Sequence, residues 1–234
     1  MTRPVVFSAS SVNAYLDCHL QWWFSYVLNE EGYQSEAKVF GIAFHDAVEA
    51  ILKGTLPSDA FDDYPIKSAI EVFVRDILPT YRNPVWIEKE FQIEVNGIPY
   101  SGVIDALDEQ DTPWGFEDIL RDHKSTGSRP RAGRYRFNMQ GYWMGARDLG
   151  RTPAAIQLDY VVRTKTPYYW PEVVPVPDDD DLAVFATTLK RVADGVDRSD
   201  YRATGLGTRA CSSCPYTAMC GPYQRFMEVT DGNV

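Results

Sequence analysis

Asp105 in Gly102-Val-Ile-Asp105, and Asp122 with Lys124 in Asp122-His-Lys124, carry the clearest chemistry of the chain. Two carboxylates converging on one point can hold a hard divalent cation, which takes oxygen ligands. Such a cation polarises a phosphodiester and generates hydroxide near neutral pH. Residues two apart on a strand project to the same face, so Asp122 and Lys124 point together. The lysine is then placed to orient an attacking water or offset developing charge. Taken alone, an Asp-x-Lys pair is more often an exposed pair of small consequence, and Asp105 could serve a turn, since Asp108, Glu109, Gln110 and Asp111 follow it.

His45 is one of three histidines and lies in Phe40-Gly-Ile-Ala-Phe-His45-Asp-Ala-Val48. On a helix it shares a face with Val48 and Leu52, where a histidine is commonly a satisfied core residue. Gly41, one turn earlier, allows another backbone or a phosphate to come close. An imidazole beside two carboxylates tilts metal preference toward Mn²⁺ over Mg²⁺.

The cysteines give the most specific local pattern. Cys211, Cys214 and Cys220 form C-x2-C-x5-C, and Cys18 is the fourth. Four thiolates suit either a [4Fe–4S] cluster or structural Zn²⁺. No stretch approaches the roughly 20 apolar residues of a membrane span. The opening MTRPVVFSASSVNAYLDC has no apolar run before a cleavage site, so a secretory signal is not expected. The expected compartment is the cytoplasm, or a host cytoplasm for a viral chain, where disulfides are rare.

A net charge of −10 argues against a protein that coats nucleic acid without selectivity. The charge is uneven: Arg121, Lys124, Arg129, Arg131, Arg134 and Arg136 face a single acid in their stretch, Asp122, while Asp178 to Asp181 form an acidic run. A local basic strip on an acidic chain suits capture of a strand at one site, or simply a solvated loop.

The elements that must position these residues follow from capping and periodicity. Ser8 and Ser10 predict the start of a helix to about Leu28, and further helices are predicted over Phe40–Lys53 and Ile66–Leu78. Trp86–Val95 alternates as a strand, and Asn96-Gly97 predicts a hairpin returning through Ile98 to about Leu107. A strand over Phe116–Lys124, a helix over Arg134–Leu149, strands over Ala155–Thr164 and Tyr168–Val176, and a helix from the acidic run to about Val196 complete a mixed α/β core.

In this order the motifs resemble the PD-(D/E)XK nuclease superfamily, closest to its RecB/AddB-like iron–sulfur exonucleases and the CRISPR-associated RecB-like branch. Phe40-Gly41 to His45 looks like the G-x-x-x-H motif, Gly102–Asp105 the G-x-x-D motif, and Asp122–Gly127 the D-x-K-T-G motif. The resemblance implies a restriction-endonuclease-like α/β core, a central mixed sheet flanked by helices, with a helical iron–sulfur lobe joining the termini. It implies one domain over 1–234: a mainly helical part over 1–80, the nuclease core over 81–200, and a cysteine-rich segment over 201–234 packing on the first helix. It implies that His45, Asp105, Asp122 and the His123 backbone carbonyl hold Mn²⁺ or Mg²⁺, that Lys124 is the catalytic lysine, and that Cys18, Cys211, Cys214 and Cys220 hold a [4Fe–4S] cluster, with Zn²⁺ the alternative. The family's Q-x-x-x-Y helix is imperfect here: Tyr142 aligns, Asn138 stands where glutamine is expected, and Gln140 lies about 200° round the helix from Asn138. Gln140 and Tyr142 are carried as candidate DNA contacts. Trp22, Trp23 and Tyr26 could stack on bases or belong to the core.

The implied activity is exonucleolytic hydrolysis of DNA, preferentially at single-stranded ends, in recombination, repair or CRISPR adaptation. Partners would be DNA, a separate helicase (the chain has no G-x-x-x-x-G-K-[ST] loop), a recombinase or a CRISPR-adaptation complex, and a second copy of the chain is a further possibility; no membrane is expected. The competing reading is a non-catalytic DNA-end-binding module with an iron–sulfur or zinc site.

Overall fold

A computed structural model describes residues 5–55, 66–113, 115–130, 133 and 135–231. The described residues divide between two compact units, one formed by 1–35, 94–100 and 186–234, the other by 36–93 and 101–185.

The second unit is built on a five-stranded sheet in the order β1 (Asn83–Val95), β2 (Ile98–Thr112), β3 (Gly115–Thr126), β4 (Ala155–Val162) and β5 (Tyr168–Val174). Asn96 and Gly97 both take positive φ, 50° and 79°, at the turn between β1 and β2, as the Asn-Gly signal requires. β2 pairs antiparallel with β3, β3 parallel with β4, and β4 antiparallel with β5. The parallel step needs a crossover, which α5 (Arg136–Asp148) supplies. The mixed sheet and its flanking helices match the expected fold class.

α3 (Glu36–Leu52) begins one turn before the predicted start and buries Phe40, Phe44, Ala47 and Val48. This apolar stripe packs in one cluster with Ala69, Ile70 and Val72 of α4 (Ile66–Val72), with Phe73 and Ile77, and with Ala106 of β2 and Val161 of β4. The helix predicted over Ile66–Leu78 is not one α-helix. It widens into a π-turn over Phe73–Ile77 and tightens into a 3₁₀ turn over Leu78–Thr80, where Pro79 cannot donate a helical hydrogen bond.

β3 has two unlike faces. Arg121 and His123 point one way into a buried polar network. The Arg121 guanidinium donates to Asp159 at 2.8 Å and to Thr80 at 2.7 Å and lies 4.0 Å over the Tyr81 ring. The Tyr81 hydroxyl and His123 Nε2 are 2.8 Å apart. Burial lowers the His123 imidazole to about 3, so this ring is neutral. Asp122 and Lys124 project to the opposite face.

α5 meets β1 through a close approach at Gly145, where any added Cβ would collide with the Phe91 ring, and Phe91 in turn meets the Tyr142 ring edge-on. α6 (Asp179–Asp197) opens on the acidic run. The Asp178 carboxylate accepts from the Asp181 N–H at 2.8 Å, and the Asp181 carboxylate takes the Arg136 guanidinium at 2.6 Å.

In the first unit the single helix expected to run to Leu28 is two helices, α1 (Ala9–Asp17) and α2 (His19–Tyr26), broken at Cys18. Cys18 is extended, with φ −162° and ψ 120°. The His19 and Leu20 N–H groups, freed by the break, donate to Thr204 Oγ1 and to the Arg202 carbonyl, both at 3.0 Å. Trp22 is buried, stacked on Tyr26 and Tyr201, and therefore belongs to the core. α7 (Arg209–Ser212) and α8 (Gly221–Asp231) follow.

A buried ion pair that loses one partner leaves an uncompensated charge. Asp159→Ala should therefore lower unfolding stability by about 3–5 kcal/mol, read as a fall in the urea midpoint with an unchanged slope.

Candidate metal centre

Four elements of the second unit bring their side chains to one place. α3 presents His45, β1 Glu88, β2 Asp105, and β3 Asp122 with Lys124. One ligand atom each from His45, Glu88 and Asp105 lie within 4.8 Å of one another. His45 Nδ1 is 3.5 Å from Asp105 Oδ2, and that same oxygen accepts the His123 backbone N–H at 2.8 Å. The Lys124 ammonium donates to Asp122 Oδ1 at 2.8 Å and to the His123 carbonyl at 3.3 Å. Asp122 Oδ2, fully buried, lies 2.7 Å from the same ammonium, so both carboxylate oxygens rest on one charge.

The set fits a hard divalent cation: carboxylates and an imidazole within a few ångströms, with one ammonium set against three carboxylates. His45, Asp105, Asp122, Lys124 and the His123 carbonyl, all expected at the site, are brought together. Glu88 was not expected. The alternation of β1 reads Glu88 as one of a row of solvent-facing glutamates, but its φ of +51° breaks the strand's alternation, a rare conformation for a residue other than glycine. The only trace in the sequence is its acidity ahead of the hairpin.

The charges on this site are held against their ordinary tendencies. Burial pushes the Asp122 carboxyl up to about 6, opposed by Lys124 and aided by Asp105. Burial, Asp105 and Glu49 push Glu88 up to about 7. Burial also raises Asp105, against the Lys124 charge and the His123 N–H. Burial and the Lys124 charge lower His45, leaving a neutral imidazole able to ligate. Burial alone would lower Lys124, but Asp122 and Asp105 outweigh it and hold the ammonium well above its usual range.

Tyr142 stands close enough for the charges of Asp122, Lys124, Asp105 and Glu88 to act on its hydroxyl, which burial raises. Gln140 is buried and sits about 200° round α5 from Tyr142, so only one of these candidate contacts turns to the site. The basic strip is not a continuous cationic surface: Arg121 is buried on Asp159, Lys124 on Asp122, and Arg136 pairs with Asp181. Arg129 stays exposed over the Trp170 ring, 3.8 Å from its centroid, and Arg131 and Arg134 lie outside the described residues.

The four cysteines belong to the first unit. They line one apolar cavity with Leu20, Phe24, Leu206 and Tyr223, and none is in a disulfide. No three of their sulfurs lie mutually within 4.8 Å among the described residues. Gly205 lies against the Asp17 carbonyl and Cys18, where an added Cβ would come within 2.8 Å of the former.

The family model of the PD-(D/E)XK nuclease superfamily matches residues 6–221, and the chain belongs to that superfamily. Among solved structures the chain is similar to a protein from Eubacterium rectale described as "Putative exonuclease", with 10% identity, 94% of this chain and 87% of that chain covered, and a TM-score of 0.60. It is also similar to SSO0001, with 15% identity, 95% and 89% covered, and a TM-score of 0.54. At these identities the likeness is one of fold. No curated protein matches the chain significantly. No helix among the described residues is long and apolar enough to cross a membrane.

Because Asp122 and Glu88 titrate above the ordinary carboxylate range, the folded site takes up protons more readily than the unfolded chain as pH falls from about 7. Protons therefore relieve the same crowding that a cation relieves, and the two compete. Mn²⁺ at a hundredfold its Kd should stabilise the fold by about 2.7 kcal/mol at neutral pH. A thermal-shift titration should show this gain shrinking toward pH 5, and falling at neutral pH in Glu88→Gln and Asp105→Asn.

Proposed function

We propose that the protein is a divalent-metal-dependent deoxyribonuclease of RecB-like type that hydrolyses single-stranded DNA from its ends. The observation that carries the reading is the convergence of His45, Glu88 and Asp105 beside the buried Asp122–Lys124 pair. His45, Asp105, Asp122 and the His123 carbonyl would hold Mn²⁺ or Mg²⁺, with Glu88 as a further carboxylate. A divalent cation bound there supplies Lewis-acid polarisation of the phosphate and a water of lowered pKa.

The remaining work falls to the chain itself. Asp105 is fixed by the His123 N–H, so the carboxylate does not have to reorganise as charge builds on the phosphate. Lys124 keeps its proton at any working pH; its role is to orient water by donating and to offset developing negative charge, not to remove a proton. Glu88, whose carboxylate lies within 4.8 Å of His45 and Asp105 ligand atoms, would hold the cation or one of its waters. Tyr142, on the same side, is placed to donate to a phosphate oxygen.

The four cysteines are read as ligands of a [4Fe–4S] cluster that staples the α1–α2 junction to the C-terminal segment. What supports the reading is that all four cysteines line one cavity, together with the family resemblance; tetrahedral zinc is the alternative. Recombination, repair or CRISPR adaptation, with a separate helicase or recombinase, is the setting such an activity would serve.

End-labelled DNA incubated with Mn²⁺ or Mg²⁺ tests the activity. Cleavage should vanish with EDTA and fall on the order of 10²–10³-fold in Lys124→Ala. DNA that is bound and never cut under any metal would sink the catalytic reading in favour of an end-binding module. Anaerobically purified protein should contain about four irons per chain with visible absorption that is lost in Cys214→Ser. Zinc in place of iron would overturn the cluster assignment and leave the nuclease untouched.

A further inference from the structure

β-Sheet register places an aromatic and a cation on the catalytic face that no part of the proposed chemistry uses. Lys124 of β3 is paired with Tyr160 of β4, and Tyr160 with Trp170 of β5. Directly paired residues project to the same face, so Trp170 stands on the face that carries Lys124. Two strand spacings of about 4.8 Å put it roughly 10 Å across the sheet from the lysine, a distance of one to two nucleotides along a strand. β5 is the last strand of the sheet, and Trp170 is partly exposed.

Arg129, Gly133 and Tyr135, which follow β3, contact residues of this face. The Gly133 N–H donates to Glu172 at 2.9 Å, Tyr135 packs on Tyr160, and the Lys124 ammonium lies 5.5 Å from the Tyr135 ring centre. Arg129 lies over Trp170 with its guanidinium carbon 3.8 Å from the ring centre. Arg129 is exposed and forms no ion pair among the described residues. In a chain of net charge −10, an unneutralised guanidinium beside a carboxylate-rich site is not explained by ordinary surface pairing. A guanidinium stacked on tryptophan keeps its outer face free for a base and its N–H edge free for a phosphate. A base inside a duplex presents only its edges, and an unpaired base presents the face such a platform takes.

We propose that Arg129 and Trp170 form a stacking platform for an unpaired nucleotide one to two positions from the scissile phosphate, which makes single-strandedness beside the cut a requirement of the site. The inference rests on the nuclease reading for its scissile phosphate and on register and cation–π geometry for the platform.

The test is binding first and cleavage second. In the Lys124→Ala background with Ca²⁺, fluorescence anisotropy is measured on single-stranded oligonucleotides carrying one abasic site, moved stepwise from the end. One or two adjacent positions should cost on the order of tenfold in Kd. Arg129→Ala and Trp170→Ala should weaken binding of the intact strand similarly and abolish the abasic penalty at those positions, whereas Trp170→Phe should retain it. A variant that merely loosened the fold would weaken binding yet keep the abasic pattern. In the Lys124-intact enzyme, Arg129→Ala should raise KM for the single strand on the order of tenfold. An abasic profile that is flat, or unchanged in both alanine variants, overturns the platform even if cleavage is robust. A position-specific profile without cleavage keeps the platform and removes the nuclease reading.

Discussion

The hydrogen bond from the His123 backbone N–H to Asp105 Oδ2, 2.8 Å long and buried, is the contact on which the site's geometry depends. It crosses from β3 to β2 and uses a backbone donor that cannot rotate, so the carboxylate is fixed as firmly as the sheet itself. The same oxygen faces His45 Nδ1, and the carbonyl of the same residue, His123, meets the Lys124 ammonium. A single peptide stretch thus aims one acceptor and one donor at the two charged groups the site needs. Because these groups are main chain, their placement follows from strand register, and register is enforced by burial of the sheet.

Electrostatics explains why the site asks for a cation. Asp105 and Asp122 are both buried, and burying a carboxylate is costly unless charge or hydrogen bonds compensate it. Lys124 supplies one positive charge for two aspartates and a nearby glutamate. Burial first, and the neighbouring carboxylates after it, displace Asp122 and Glu88 upward. A structural ion-pair cluster would balance its charges internally. This one sets three carboxylates against a single ammonium.

The residues that spacing could betray were legible: Gly102-x-x-Asp105, Asp122-x-Lys124 and the His45 helix are local patterns, and the sheet brings them together. So were the hairpin at Asn96-Gly97 and the α6 start at the acidic run, since both arise within a few residues of chain. What the sequence hid was non-local or conformational. Glu88 needed a positive φ in the middle of a strand to leave the face its alternation assigns. The break at Cys18 depends on N–H partners near residue 203, far along the chain. Arg121 looked like part of a cationic strip, and only β4, which contributes Asp159, turns it into a buried ion. That Trp170 shares the face of Asp122 and Lys124 could not be read at all without the parallel β3–β4 pairing.

The polar network behind β3 is explained by the same geometry. An apolar layer would cover that face of the sheet at lower desolvation cost, since buried ion pairs are often no more stabilising than hydrophobic replacements. What an apolar layer lacks is direction. Alternation forces Arg121 and His123 to the face opposite Asp122 and Lys124, so whatever fixes the first pair fixes the second. Arg121 is held by Asp159, by Thr80 and by the Tyr81 ring, and His123 by the Tyr81 hydroxyl. These contacts tolerate little sliding along the strand, whereas packed aliphatic side chains tolerate more. A shift of β3 by one residue would also exchange the two faces outright, sending the neutral His123 toward the cation site and Lys124 into the core. The directional network therefore restrains small slips, the alternation penalises large ones, and the face of Asp122 and Lys124 inherits its precision from the face opposite.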